Sequence, residues 1–253
     1  MLAYYKLPLA FDAQRMLTEV EALEQDRVWL SHPDYTVATV GDWAAIALIS
    51  TDGDHTGPES LRYRGGAKSL PTQLLLKSPY LRQVTESFKT DIHRARLMNL
   101  KPGTVIREHR DYGAQRYSVE RGYVRVHIPV RTHPLVHWKS SGVVVPMRAG
   151  EAWYTNVCQP HSVENRSTVN RVHLVLDMKV NEWFLSLLPE RTWQDKLASV
   201  LVPTFEPAAL TLKTAGTQTL LGARRVLGDM GLRWVRDRVR EVVRKRTHAP
   251  HSH

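Results

Sequence analysis

Cysteine is almost missing from this chain: Cys158 is the only one in 253 residues. No intramolecular disulfide can form, which favours a reducing compartment. Long apolar runs are missing too, and no stretch approaches the roughly 18 residues a membrane span needs. The opening MLAYYKLPLAFDAQRM lacks the basic-then-apolar order of a secretory leader, so a cytoplasmic setting is the expectation. There is no repeat with a period of about 20 to 50 residues and no low-complexity tract, which argues against solenoids and propellers. What remains is ordinary folded composition, 42% hydrophobic and 24% charged, in a chain long enough to bury a sizeable core.

The formal charge of +10 would suggest nucleic acid if it were spread over the surface. It is not spread. From Arg224 to Arg246 nine Lys and Arg stand against three acids, a net +6, and the rest of the chain is near neutral. In that segment Leu232, Val235, Val239, Val242 and Val243 recur at helical spacing, while Arg233, Arg236, Arg240 and Arg244 fill another face. A basic amphipathic helix is expected, docked on the body or offered to an acidic peptide, carrier protein or membrane surface, with nucleic acid the least favoured partner.

Residues 12 to 30 carry Leu17, Val20, Leu23 and Leu30 among acids and read as a helix ending near SHPDY. TVATVGDWAAIALIS reads as a strand pair broken at Gly41 and Asp42, and the Gly-rich TDGDHTGPES and RYRGGAKSLP read as a mobile loop over one face. From residue 94 eight short strands follow at close spacing: RARLMNLK, TVIREHRD, GYVRVHIPV, PLVHW, GVVVP, EAWYT, HSVEN and RVHLVLDMK. That density predicts an antiparallel sandwich or barrel. Helical texture returns after Pro189. The expected organisation is an N-terminal helix, strands and loop covering the core over 1–90, a β core over 91–182, and a helical region with the basic segment over 183–253.

The chemistry starts in REHRDYGAQRY. His109 and Asp111, two apart on a strand, point to one side, so both could grip one ion. An isolated His-x-Asp proves little. His161, at the head of HSVEN, would complete a two-histidine, one-carboxylate set that leaves three positions open on Fe(II), so that a cosubstrate and dioxygen can meet there. A closed structural zinc site would want several cysteines, and there is one. Arg171 enters the last strand ten residues after His161, where an arginine can take a carboxylate in a bidentate grip, as the far end of 2-oxoglutarate requires. In GYVRVHIPV, Arg125 and His127 share one face and Val124, Val126, Ile128 and Val130 the other. Polar groups on an inner face demand partners, which bound carboxylates would supply. Against these readings stand plainer ones: polar core or surface residues for the ligand set, a salt-bridged strand end for Arg171, structural ion pairs for Arg96 and Arg125, and a core ring for Trp153. His93, His133, His137 and His173 read as ordinary strand or loop residues.

Taken together, HRDY, RVHIPV, GEAW, PHS and Arg171 in NRVHLVLD resemble the aspartyl/asparaginyl β-hydroxylase family of iron and 2-oxoglutarate oxygenases, in particular its bacterial branch that includes proline cis-4-hydroxylase. The resemblance covers about residues 90 to 180. It implies a mainly β, double-stranded β-helix (jelly-roll, cupin-like) core with flanking helices. It also implies iron on His109, Asp111 and His161, 2-oxoglutarate on Arg171 with His127 beside it, and a substrate carboxylate on Arg96 and Arg125, with Trp153 placed near the substrate by its position in GEAW. The expected activity is hydroxylation of an aliphatic carbon of an amino acid or its derivative, using dioxygen. The alternatives are a peptide or carrier-bound aminoacyl substrate in natural-product biosynthesis, a non-oxidative cupin-like metal protein, and a basic adaptor with an inactive barrel. Asp111 separates this chain from relatives that lack the carboxylate ligand.

Overall fold

A computed structural model describes residues 2–26, 28–32, 39–62, 68–111 and 117–190. The basic segment 224–246 and the helical pattern beginning at ERTWQDKLASVL lie outside the described residues.

The first 90 residues supply strand β1 (Tyr4–Ala10), helix α1 (Ala13–Gln25), the short β2 (Leu30–Ser31) and β3 (Thr39–Val40), the long β4 (Trp43–Thr51), β5 (Ser69–Pro71) and helices α2 (Gln73–Leu76) and α3 (Pro79–Glu86). Asp12 caps α1 by accepting from the backbone N–H of Gln14 and Arg15, both at 3.0 Å. Glu19 of α1 in turn accepts from the N–H groups of Tyr80 and Leu81 at 2.7 and 2.8 Å, satisfying the free donors at the start of α3. The break expected at Gly41 is real, but β3 and β4 do not pair with each other. β3 joins one sheet and β4 the other, and the chain passes between them where Gly41 takes φ +98° and leaves no room for a Cβ beside Thr104.

The remaining strands are β6 (Ile92–Leu100), β7 (Val105–His109), β8 (Tyr123–Arg131), β9 (Val136–Ser140), β10 (Val143–Val144), β11 (Glu151–Thr155), β12 (His161–Asn165) and β13 (Arg171–Lys179), followed by α4 (Glu182–Ser186). One sheet has the order β1-β11-β8-β13-β6-β4-β2, with β5 on β4; the other has the order β10-β9-β12-β7-β3. All pairings are antiparallel. From β6 to β13 the chain crosses repeatedly between the sheets, giving β11-β8-β13-β6 opposite β10-β9-β12-β7. This is the double-stranded β-helix, with β1 to β5 extending both sheets.

The larger sheet is buried on both faces, and its two faces differ in chemistry. Val124, Val126, Ile128, Val172, Leu174, Leu176 and Met178 point outward under Met16 and Val20 of α1, Leu81 and Val84 of α3, and Phe184 of α4. Each such side chain contributes about 1.5 to 3 kcal/mol on burial. The alternate residues of the same strands, Arg125, His127, Arg171, His173 and Asp177, point into the barrel and are polar. An alternating strand normally turns its polar half to water; here that half is enclosed, so it must find partners inside. A second apolar cluster, including Leu100, Ile106, Trp138, Trp153 and Val163, joins the two sheets beside it.

The segment expected as a mobile loop over one face is docked over its described part. Leu61 is fully buried, and its carbonyl accepts from Arg94 Nη1 at 3.0 Å, so an apolar anchor and a backbone acceptor hold it against the barrel. Gly150, the first residue of GEAW, sits at φ +82°, its N–H bonds the Pro129 carbonyl, and a Cβ there would collide with the Phe11 carbonyl oxygen. Gly150→Ala should therefore lower unfolding free energy by about 2 kcal/mol or more in urea titration, combining left-handed strain with a backbone clash; a change under about 0.5 kcal/mol would contradict this account of the turn.

Candidate metal centre

His109 ends β7 and His161 begins β12, directly opposite it in register, so antiparallel pairing alone brings the two rings to 4.2 Å. The strand does not reach Asp111. It stops at His109, and the Asp111 N–H is instead tied to the Val157 carbonyl at 3.0 Å. That anchor returns the carboxylate to the pair: Asp111 Oδ1 lies 3.5 Å from His109 Nε2 and 3.7 Å from His161 Nε2. One ligand atom from each of the three residues falls within 4.8 Å of the others, the only such group among the described residues.

Both imidazoles are oriented alike. His109 Nδ1 lies 2.8 Å from the Arg107 carbonyl and His161 Nδ1 lies 3.0 Å from the Gln159 carbonyl. A backbone oxygen can only accept, so each Nδ1 carries a proton and both Nε2 atoms, the ones a metal would take, face Asp111. Burial pushes His161 down to about 4, keeping it neutral. His109 is raised by its hydrogen bond to Asp111. For Asp111, burial works upward, but the His109 hydrogen bond and the Arg125 charge outweigh it and hold the group ionised.

Arg171 is 2% exposed and, among the described residues, faces no carboxylate within ion-pairing distance. Its Nη2 lies 3.0 Å from His173 Nδ1, and its Nε has no hydrogen-bond partner. Burial alone lowers it to about 9. A buried cation with an unused donor is costly and fits an anion that is brought in. His127 Nδ1 and His173 Nε2 are likewise buried without partners, and both rings are held neutral by burial and then by the Arg171 charge. The His173 and His127 rings are 5.7 Å apart, His127 and Trp138 5.8 Å, and Trp138 and His161 5.9 Å. A contiguous inner-facing series thus connects Arg171 to the ligand set. The donor set fits Fe(II), and the cradle at Arg171 fits a carboxylate.

Arg96 and Arg125 are also inside, but they are not the unpaired charges the sequence suggested. Asp177, fully buried on β13, accepts from Arg94 Nη2 at 2.6 Å, Arg96 Nη2 at 3.0 Å and Arg125 Nε at 2.7 Å. Arg125 Nη1 also reaches Asp111 Oδ2 at 2.7 Å. His32 Nε2 lies 3.2 Å from Arg96 Nη1, with the ring stacked on Trp43 at 3.7 Å. Burial and then the Arg96 charge press His32 down to about 2, so it meets Arg96 as a neutral acceptor. Trp153 packs near Tyr4, and its Nε1 donates to Glu151 at 3.0 Å. Asp177, Arg94, His32 and His173 were not singled out from sequence as site residues; the only signal for two of them was polarity on the inner half of β13.

A jelly roll with a two-histidine, one-carboxylate group between its sheets defines the class, a candidate mononuclear metal protein with an anion cradle. The family model for aspartyl/asparaginyl beta-hydroxylase matches residues 10–180. The chain belongs to that family. It is 28% identical over 173 residues to L-proline cis-3-hydroxylase 1 of a Streptomyces species, covering 65% of this chain and 58% of the relative. It is 32% identical over 148 residues to L-proline cis-3-hydroxylase 2 of a Streptomyces species, covering 57% and 49%. It is 23% identical over 180 residues to L-proline cis-4-hydroxylase of Rhizobium meliloti, covering 70% and 61%. The chain therefore spans about half to three-fifths of the length of these relatives. No helix among the described residues is long and apolar enough to cross a membrane.

Because its hydrogen bond to Asp111 raises the pKa of His109, divalent metal must compete with a proton there. Proton release on Co(II) binding, measured calorimetrically in buffers of differing ionisation enthalpy, should be larger at low pH and shrink as the pH rises. Release that grows with pH would contradict this assignment.

Proposed function

We propose that this protein is an Fe(II)- and 2-oxoglutarate-dependent oxygenase that hydroxylates an aliphatic carbon of a small amino acid or amino-acid derivative. The observation that carries the reading is the pairing of an open three-ligand group with a buried arginine that has no counter-ion among the described residues, on the inner face of one barrel. When bound, the metal and keto acid supply the oxidation: 2-oxoglutarate loses carbon dioxide to become succinate, one dioxygen atom entering succinate and the other a substrate C–H bond. His109, Asp111 and His161 would hold the metal. Arg171 binds the distal carboxylate, steadied by His173 and with His127 as a neutral donor beside it. The second apolar cluster, with Trp138 against His161, keeps water from the metal.

Charge supports an anionic substrate. Around the ligand group three arginines, Arg94, Arg96 and Arg125, face two carboxylates, Asp111 and Asp177, leaving one positive charge before any metal is added. A free α-carboxylate is the simplest balance and is consistent with the amino-acid substrates named for the relatives. A peptide or carrier-bound substrate would rest on the basic segment 224–246, which lies outside the described residues.

Two measurements test this. Screening amino acids for oxygen-dependent succinate formation with a matching gain of one oxygen should find a substrate whose methyl ester or amide loses about tenfold or more in kcat/KM; an ester that turns over as well as the acid removes the carboxylate requirement, and absence of any oxygen-dependent succinate removes the oxygenase reading. Arg171→Met should leave the ligand-free melting temperature unchanged or raise it, since it removes an unpaired buried charge. The same change should raise the KM for 2-oxoglutarate thirtyfold or more, corresponding to about 2 to 5 kcal/mol for a lost charged partner. An unmoved KM places the clamp elsewhere.

A further inference from the structure

Three open positions are the minimum for this chemistry on a six-coordinate metal, two for the keto acid and one for dioxygen. A carboxylate ligand threatens that count, because it can bind through one oxygen or both, and the terminal torsion of Asp is soft and nearly two-fold. Bound through both oxygens, Asp111 would leave two positions. The two oxygens of Asp111 are not equivalent here. Oδ1 faces the two histidine nitrogens at 3.5 and 3.7 Å, whereas Oδ2 is taken by Arg125 Nη1 at 2.7 Å. Arg125 is itself fixed at its other edge, with Nε 2.7 Å from Asp177 Oδ1 and Nη2 3.2 Å from Asp177 Oδ2. This is a planar fork held bidentately, with the remaining donor pointed at the metal ligand.

We propose that Asp177 and Arg125 are positioning residues of the metal centre: Asp177 fixes the Arg125 plane, and Arg125 occupies Oδ2 of Asp111 so that only Oδ1 is offered to the metal. The relay rests on the reading of His109, Asp111 and His161 as the metal site. It gives the buried arginine cluster a use beyond neutralising charge. Strand geometry makes it rigid: Arg125 and Asp177 are register partners on β8 and β13, so the clamp is set by the sheet rather than by a loop. Lys could not reproduce it, having no fork to span two carboxylates.

The test is metal binding, without turnover. Co(II) is titrated into the full chain by calorimetry and visible absorption for the parent, Arg125→Lys, Asp177→Asn, the double variant and His109→Ala. Because Asp177 also balances Arg94 and Arg96, Arg125→Lys is the variant that carries the result if Asp177→Asn does not fold. Expected are a ten- to hundredfold loss of Co(II) affinity and an altered d–d spectrum in Arg125→Lys, with the metal-free melting temperature within a few degrees of the parent. The double variant should be no weaker than the weaker single one, as for residues acting in series. Parental affinity and spectrum in a folded Arg125→Lys would overturn the relay while leaving the metal site standing. A parent that does not bind Co(II), or a His109→Ala variant that binds it as well as the parent, would overturn both.

Discussion

Charge enclosed between two sheets has to be answered by charge, and the barrel interior is organised by that requirement. Asp177, with no exposed surface, sits among the guanidinium groups of Arg94, Arg96 and Arg125, and the opposing arginine charges, with Arg125 foremost, hold its carboxyl ionised against burial. Removing one partner from such a group costs several kcal/mol, because the rest stay buried and uncompensated. The apolar outer face of the same strands is what makes the enclosure possible. Helices α1, α3 and α4 bury Val126, Leu174 and Leu176, the sheet closes, and Arg125, His127, His173 and Asp177 are shut inside by the period of two along each strand.

Against that ion-paired cluster, Arg171 stands out on the same strand as the cation with no carboxylate partner among the described residues. β13 thus carries a satisfied end at Asp177 and an unsatisfied end at Arg171, with the three-ligand group served by β7 and β12 of the facing sheet. A fold optimised only for stability would pair or replace Arg171. Its retention in an apolar and aromatic setting is the kind of local cost that binding sites carry and that a bound anion offsets.

Much of this was legible in residue order. The alternation in GYVRVHIPV and RVHLVLDMK separates an apolar from a polar half, and both strands form with those halves on opposite faces. His109, Asp111 and His161, singled out by residue type and spacing, are brought together by the fold, and Arg171 is buried on the facing sheet. The counter-ion was not readable: Asp177 meets its arginines across 52 to 83 residues of chain, a separation that no local pattern encodes. Arg96 and Arg125 therefore looked unpaired, and the structure supplies their partner. β1 was missed because YYKLPLA carries Pro8 and weak alternation, which an edge strand tolerates since its outer N–H groups need no ladder partner. The pairing of β3 and β4 into different sheets was hidden for a similar reason, since a two-residue turn at Gly41 and Asp42 reads as a hairpin whichever way the chain leaves it.

Under the proposed function, metal and keto acid share one site, with Arg171 holding the acid's far end. The most direct measurement is anaerobic visible absorption of the Fe(II)-loaded protein titrated with 2-oxoglutarate, which detects chelation by its metal-to-ligand charge-transfer band. The account predicts a saturable band in the parent, loss of it in His161→Ala, and a much higher half-saturating concentration in Arg171→Met. A protein that holds Fe(II) yet develops no band at saturating 2-oxoglutarate would contradict it.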